Sequence, residues 1–375
     1  MRCAEPEGHA EAMRGLFRAA AGERLSHAIL IRGPRGIGKF AAAVWLARGI
    51  LCERLPSAAD DDRWSPCDPS APQGACPSCK KVDSGGAAGN HPDLLVIDPV
   101  EEGWNEIPVS AVAARGNDDG PCVGEFLKLA SSEGRGRVVV VREAERLNLH
   151  AQNALLKTLE EPSAGTFLVL ETSRPEALLD TIASRVLAVR LSRLDAAATR
   201  RVLERVALED EELADRDLEA LAVLADGAPG EARRLAISAG LETLSVFERW
   251  LGGGDALAAS AAVWELDGRF DATTALGRDR ERVRQTLDLL RELLAEAHRR
   301  AAVGGGPPAG DLARLADRLA QAGPGRLARA LDAVLRARAD VDLNLEPGGT
   351  LERGFLGVDA ALGLSAHQPA ATTRL

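Results

Sequence analysis

The rhythm of apolar and polar positions changes about halfway along the chain. In the first half, short, largely apolar runs recur at Ala28–Ile31, Asp93–Ile97, Val138–Val141, Thr166–Thr172 and Val186–Leu191. These runs read as strands, and the four valines Val138–Val141, flanked by charges, predict one buried on both faces of a parallel sheet. Between them, residues 10–22, 39–51 and 149–160 have helical patterning, the last ended by Pro162. Strand and helix in alternation predict an α/β domain. After residue 193 the β signals stop, and 194–207, 210–225 and 230–239 read as short helices. Val283, Leu287, Leu290, Leu294 and Ala297 form one apolar stripe, which predicts an amphipathic helix over 282–302. Gly304–Pro308 ends it as a loop, and 326–339 repeats the helical pattern. The expected organisation is an α/β domain over 1–192, a helical lid over 193–240, an all-α domain over 241–364 and a disordered tail over 365–375.

The first strand leads into Gly33-Pro-Arg-Gly36-Ile-Gly38-Lys39-Phe40 and then an alanine-rich helix. Strand, glycine loop and helix are the setting of a phosphate-binding Walker A loop. Gly33, Gly36 and Gly38 let backbone N–H groups turn toward a phosphate, and Lys39 supplies a point charge. The following position calls for a Ser or Thr hydroxyl on magnesium, and Phe40 stands there. A second departure matches it. The strand Val138–Val141 should end in a magnesium-holding Asp, and Arg142 occupies that place. Glu143 remains where an ATPase places its water-activating carboxylate. The frame is that of an ATPase, but the residues predict no magnesium site and no hydrolysis. Binding of ATP without hydrolysis stays open, because the glycines and Lys39 survive.

Composition narrows the partners. The net charge of −10 argues against a broad nucleic-acid-coating surface. No apolar run is long enough to span a membrane, and residues 1–14 lack a signal-peptide core, so a cytoplasmic protein is expected. Of six cysteines, Cys52, Cys67, Cys76 and Cys79 cluster, the last two as Cys76-Pro-Ser-Cys79. In a cytoplasmic chain such clustering favours a structural zinc site of four cysteines, with a redox pair or unpaired thiols as alternatives. The long acidic spacer with Asp60, Asp61 and Asp62 makes Cys52 and Cys67 less firmly placed than the Cys-x-x-Cys pair, and His91 is an alternative ligand.

Asn153-Ala-Leu-Leu-Lys157-Thr-Leu-Glu160-Glu161-Pro162 resembles a string of the clamp loader branch of the AAA+ superfamily. Thr181-Ile-Ala-Ser184-Arg185 is similar to that family's Ser-Arg-Cys motif, with Val186 in place of its Cys. The cysteine segment, inserted at 52–79, resembles the zinc module of bacterial members. Leu25-Ser-His-Ala28, His91-Pro-Asp93 and Gly227-Ala-Pro-Gly230 point to the non-hydrolysing members, Gly230 standing where an active ATPase has a phosphate-sensing Arg. The resemblance implies an AAA+ domain, lid and C-terminal collar in a DNA polymerase III clamp loader subunit. It implies that Arg185 acts as an arginine finger on a neighbour's ATP and that Thr172 holds the sensor 1 position. Implied partners are the gamma/tau and delta subunits, the sliding clamp and, through the complex, primer–template DNA. The alternatives are an active gamma/tau-type ATPase, against which Phe40 and Arg142 speak, and a zinc-containing DNA-binding module. For the latter Lys80, Lys81 and Trp64 are the available contacts.

Overall fold

The computed structural model describes residues 6–21, 24–54, 67, 74–84, 90–113, 122–133, 135–208, 210, 213, 218–270, 274–304, 310–343 and 345–364. Asp60–Asp62, Trp64, most of the expected loop at 304–308 and the expected disordered tail at 365–375 lie outside the described residues. The chain divides into two compact units, Met1–Ala198 and Thr199–Leu375.

The first unit opens with α1 (Ala10–Ala21), followed by β1 (Ala28–Arg32), α2 (Lys39–Leu51), α3 (Pro77–Asp83) and β2 (Leu94–Ile97). Two short helices come next, α4 (Val109–Val112) and α5 (Val123–Phe126). Then follow β3 (Arg137–Val141), α6 (Leu149–Glu160), β4 (Thr166–Thr172), α7 (Asp180–Ala183) and β5 (Leu187–Arg190). The five strands form one parallel sheet in the order β2-β3-β4-β1-β5. All five expected strands are present. The cysteine segment, which in the sequence only interrupts the alternation, folds α3, begun by Pro77 and capped by Cys76.

Period-two side-chain alternation explains the sheet's two faces. Ala28, Leu30, Val139, Val141, Leu168 and Leu170 share a core with Ala151, Leu155 and Leu159 of α6. Ile29, Ile31, Val138, Val140 and Val169 are as deeply buried on the alternate face, and α2 packs on β3 and β4. Helix α1 closes on α2 by setting Phe17 edge-on to Trp45 at 4.5 Å. Gly49 permits that approach, because a Cβ there would lie 1.7 Å from the Phe17 ring.

Strand order places the ends of β3, β4 and β1 side by side, at the point where the sheet's winding reverses. Ligands of open α/β sheets bind at such carboxyl ends. The lead-in residue His27 pins the opposite end of β1 through a ring-nitrogen contact of 3.1 Å with the Leu159 carbonyl.

The second unit is helical. Helix α8 (Ala196–Ala207) straddles its start, and Leu218–Leu224, Pro229–Ile237, Gly240–Leu251, Ala256–Trp264, Ala275–Val303, Gly310–Ala320, Pro324–Asp342 and Pro347–Leu362 follow. The long helix begins seven residues ahead of the expected Arg282, because Thr274 caps it by accepting from the Gly277 N–H at 3.0 Å. Leu203, Leu221 and Leu235 belong to the same apolar cluster as Leu287, Val334 and Phe355. The helices of the expected lid and those after residue 241 therefore share one core. Trp250 stacks at 4.5 Å on Phe355 within it.

Candidate nucleotide and metal sites

The glycine loop emerges from β1 and ends in α2, as the sequence predicts. Gly33, Gly36 and Gly38 all hold positive φ, at 156°, 77° and 89°. Gly33 has a second requirement, since a Cβ there would meet the Leu191 carbonyl oxygen at 2.3 Å. Lys39 is buried and turned inward. Its Nζ donates to the Pro34 carbonyl at 2.9 Å and to Ser173 Oγ at 2.8 Å, and lies 3.7 Å from the Glu171 carboxylate. Burial pulls the Lys39 amine below its ordinary value, opposed by Glu171, and burial pushes Glu171 up. The Lys39 amine that a phosphate would use is thus engaged within the loop and at the end of β4.

The end of β3 is equally occupied. Arg142 donates to buried Asp98, which follows β2, at 2.8 Å. Its guanidinium carbon lies 5.0 Å from the Phe40 ring centroid, a cation–π contact. A cation and a phenyl ring stand where two magnesium ligands would be, so these residues do not fit Mg²⁺. Glu143 adopts a left-handed backbone at φ 48°. It ion-pairs with Arg146 at 2.6 Å, and its N–H donates to Glu171 Oε1 at 2.9 Å. Thr172 does not face Lys39: its hydroxyl accepts from the Arg174 N–H at 3.0 Å, and the neighbouring Ser173 meets the lysine instead.

Arg185 follows α7 and is partly exposed. One nitrogen donates to the Thr181 carbonyl at 3.0 Å, and another pairs with Glu160 at 2.8 Å. Glu160 ends α6, so the pair joins the two segments that carry the family-like motifs. Lys157 lies on α6 one turn before Glu161.

Cys52, Cys67, Cys76 and Cys79 are brought together, with all four Sγ atoms within 4.8 Å of one another. A tetrahedral zinc with about 2.3 Å Zn–S bonds sets sulfurs nearly 4 Å apart, so the cluster fits such an ion. The fit includes Cys67 despite the long spacer. Cys52 caps the end of α2, and Cys76 and Cys79 open α3. A hydrogen bond from Cys79 pulls the Cys52 thiol down to about 5 and pushes Cys79 up. His91 is not among these ligands: its Nε2 meets Ser78 Oγ at 2.9 Å and Glu133 at 3.1 Å. Asp93 of the same triplet is fully buried and accepts from Ser131 Oγ and the Ser132 and Glu133 N–H groups.

Several residues escape sequence reading. Gln152 of α6 donates to the Leu147 and Ala177 carbonyls and accepts from the Leu179 N–H, joining the segments that follow β3 and β4. Asp98, Glu171 and Ser173 have only their places at strand ends as a signal. Arg48 is a lone charge in the apolar stretch of α2 and is 1% exposed.

The sheet order, the glycine loop after β1 and the polar residues at the ends of β3 and β4 define a P-loop protein of the AAA+ type. A family model described as "DNA polymerase III, delta subunit" matches residues 8–195. The DNA polymerase III subunit delta' of Pseudomonas aeruginosa is 40% identical over 210 residues, which are 56% of each chain. The delta' subunit of Bacillus subtilis is 34% identical over 173 residues, 46% of this chain and 44% of that one. The DNA polymerase III subunit tau of Salmonella typhimurium is 32% identical over 253 residues, 68% of this chain and 34% of its own length. The chain belongs to the delta-prime clamp loader family of DNA polymerase III. The matched segments span about half the length of these delta' relatives.

Proposed function

We propose that this chain is a non-hydrolysing, stator-like subunit of the DNA polymerase III clamp loader that lends Arg185 to ATP bound by a neighbouring subunit. The observation that carries the reading is Lys39, whose amine is held by Pro34, Ser173 and Glu171 while Arg142 and Phe40 fill the magnesium side. A site so arranged neither turns over Mg²⁺-ATP nor needs to for the subunit to matter. Its own contribution is a partly exposed guanidinium, held by Thr181 and Glu160 at the end of a motif. Delivered to a γ-phosphate in an adjacent subunit, such a group stabilises transition-state charge and is worth roughly 10³–10⁵ in rate in other P-loop enzymes. The partners on this reading are gamma/tau and delta subunits, the sliding clamp and primed DNA, and the setting is the cytoplasm. The cysteine cluster holds a structural zinc in which the four thiolates complete the coordination, leaving no open position for catalysis.

The test has two arms. Purified chain alone should show no Mg²⁺-ATP turnover, beside a Phe40→Thr/Arg142→Asp variant as comparison. Arg185→Ala should leave the chain folded and slow ATP turnover of the reconstituted assembly. Turnover by the natural chain that Lys39→Ala abolishes would reclassify it as a motor subunit. Unchanged turnover of the Arg185→Ala assembly would remove the finger.

A further inference from the structure

Three of the four cysteines are placed by helices: Cys52 at the end of α2, and Cys76 and Cys79 at the start of α3. Cys67 belongs to neither helix. Its backbone carbonyl accepts from the Arg48 guanidinium at 2.7 Å. The same guanidinium is held by Asp83 at the end of α3: Nη2, which serves Cys67, also donates to its Oδ2 at 3.0 Å, and Nε lies 2.9 Å from its Oδ1. Arg48 thus touches all three chain segments that supply sulfur. Its own carbonyl lies 4.0 Å from Cys79 Sγ, and it sits four residues before Cys52 on the same helix.

The geometry points to Arg48, held by Asp83, as the residue that positions Cys67 as the fourth ligand of the metal centre. The inference rests on the reading of the cysteine cluster as a zinc site. A guanidinium suits the task because its rigid fork presents N–H groups in several directions at once, whereas an ammonium is a point donor on a flexible stem. Burying such a charge is costly unless it is paired and fully hydrogen-bonded, so a side chain 1% exposed at this place has a specific use. Asp83 supplies the pairing, and the Cys67 carbonyl takes a remaining donor. Groups behind metal ligands orient them, and losing one weakens metal binding about 10–100-fold. Without the clasp, Cys52, Cys76 and Cys79 keep their helical placement, and the sulfur of Cys67 loses its.

The experiment uses the full chain, stripped of metal and titrated with Co²⁺, with thiolate-to-cobalt charge-transfer absorbance and the rate of Zn²⁺ release to a chelator as readouts. The parent should give a tetrahedral thiolate spectrum, and Cys67→Ser should lower the charge-transfer band by about a quarter, one thiolate in four. Arg48→Lys, which keeps the charge and loses the fork, and Asp83→Asn, which keeps the guanidinium and loses its anchor, should shift the band toward that of Cys67→Ser. Both should speed Zn²⁺ release about 10-fold or more. Added to Cys67→Ser, Arg48→Lys should do little further, because both act through one ligand. Arg48→Lys and Asp83→Asn with the parent's spectrum and release rate overturn the inference alone. A Cys67→Ser spectrum equal to the parent's removes Cys67 from the ligand set and the inference with it. A parent chain with no thiolate spectrum overturns the zinc reading itself, and the inference falls with it.

Discussion

The glycine loop and the cysteine cluster are both sites by motif, and they differ in how their polar atoms are satisfied. Around the loop, Lys39 meets Pro34, Ser173 and Glu171; Arg142 meets Asp98 and Phe40; Glu143 meets Arg146. Each charge has an internal partner, and the network holds together the ends of β1, β3 and β4. In the cysteine cluster the sulfurs face one another, and their hydrogen bonding pulls the Cys52 thiol down and pushes Cys79 up. A divalent ion bound there would replace the thiol protons and satisfy four sulfurs at once. On the proposed reading, the motif that signals chemistry is part of the framework, and the insertion that looks accessory is the place where a ligand is still required.

Metal removal gives the largest expected effect. Stripping the chain with a chelator, or replacing Cys76 and Cys79 by Ser, should lower its stability by about 3 kcal/mol or more, because structural zinc binding is coupled to folding. In thermal unfolding that is a fall of roughly 5–10 °C. A chain indifferent to chelation would place the cluster with ordinary buried thiols and erase the contrast.

Lys39 comes next. In a working P-loop the lysine serves the nucleotide, and the empty protein tolerates its loss. Here Lys39→Met keeps the stem's packing and takes from Glu171, 4% exposed, the cation that lies 3.7 Å from it. The expected cost is about 2–3 kcal/mol in chemical denaturation. Glu171→Gln in the same chain should recover part of it, as coupled partners do. Unchanged stability of Lys39→Met would mean that the loop lysine is still poised for a ligand.

His91 sharpens the comparison from the side of the cysteine module, because it joins α3 to the turn before β3 through Ser78 and Glu133. Burial holds its ring below the ordinary value, opposed by Glu133. The unfolded chain therefore binds the proton more readily, and stability should fall as pH drops below about 6.5 toward the folded value. The His91 contribution to the slope cannot exceed one proton, about 1.4 kcal/mol per pH unit. The difference between the parent and His91→Gln across pH 8 to 5 isolates it from thiolate protonation, which both share. Parallel curves would assign the acid sensitivity elsewhere.

The sheet was readable in advance because a strand buried on both faces needs an almost unbroken apolar run, as in Val138–Val141. Helix starts were less so: Thr274 caps the long helix nine residues before its apolar stripe begins at Val283, and a cap is a local hydrogen bond with little effect on periodicity. Phe40 and Arg142 could be recognised as misfits because the loop and strand around them fix what their positions demand. Their partners could not. Asp98 reaches Arg142, and Ser173 reaches Lys39, only through the lateral order of β2, β3, β4 and β1, which no local spacing encodes. Thr172 illustrates the same limit, since one residue along a strand end decides whether a hydroxyl turns to Lys39 or back to its own chain. Arg48 had a faint signal, a charge among buried neighbours on α2, but Asp83 lies 35 residues away in sequence.

The smallest expected effect separates the two magnesium-side departures. Phe40→Thr restores the hydroxyl that a P-loop uses and removes the ring against Arg142. The lost cation–π contact, at a partly buried site, should cost about 0.5–1 kcal/mol. The restored hydroxyl should bring no Mg²⁺-ATP binding, because Arg142 remains paired to Asp98 at 2.8 Å and places a fixed cation where the metal must sit. Arg142→Asp alone fails for the opposite reason: it sets a second carboxylate beside Asp98, while Phe40 still offers the ion no oxygen. Fluorescent ATP-analogue titrations of both single variants and the pair would distinguish the cases. Magnesium-dependent binding by Phe40→Thr alone would show that Arg142 can leave Asp98, and the network around the loop would then be a latch and not a framework.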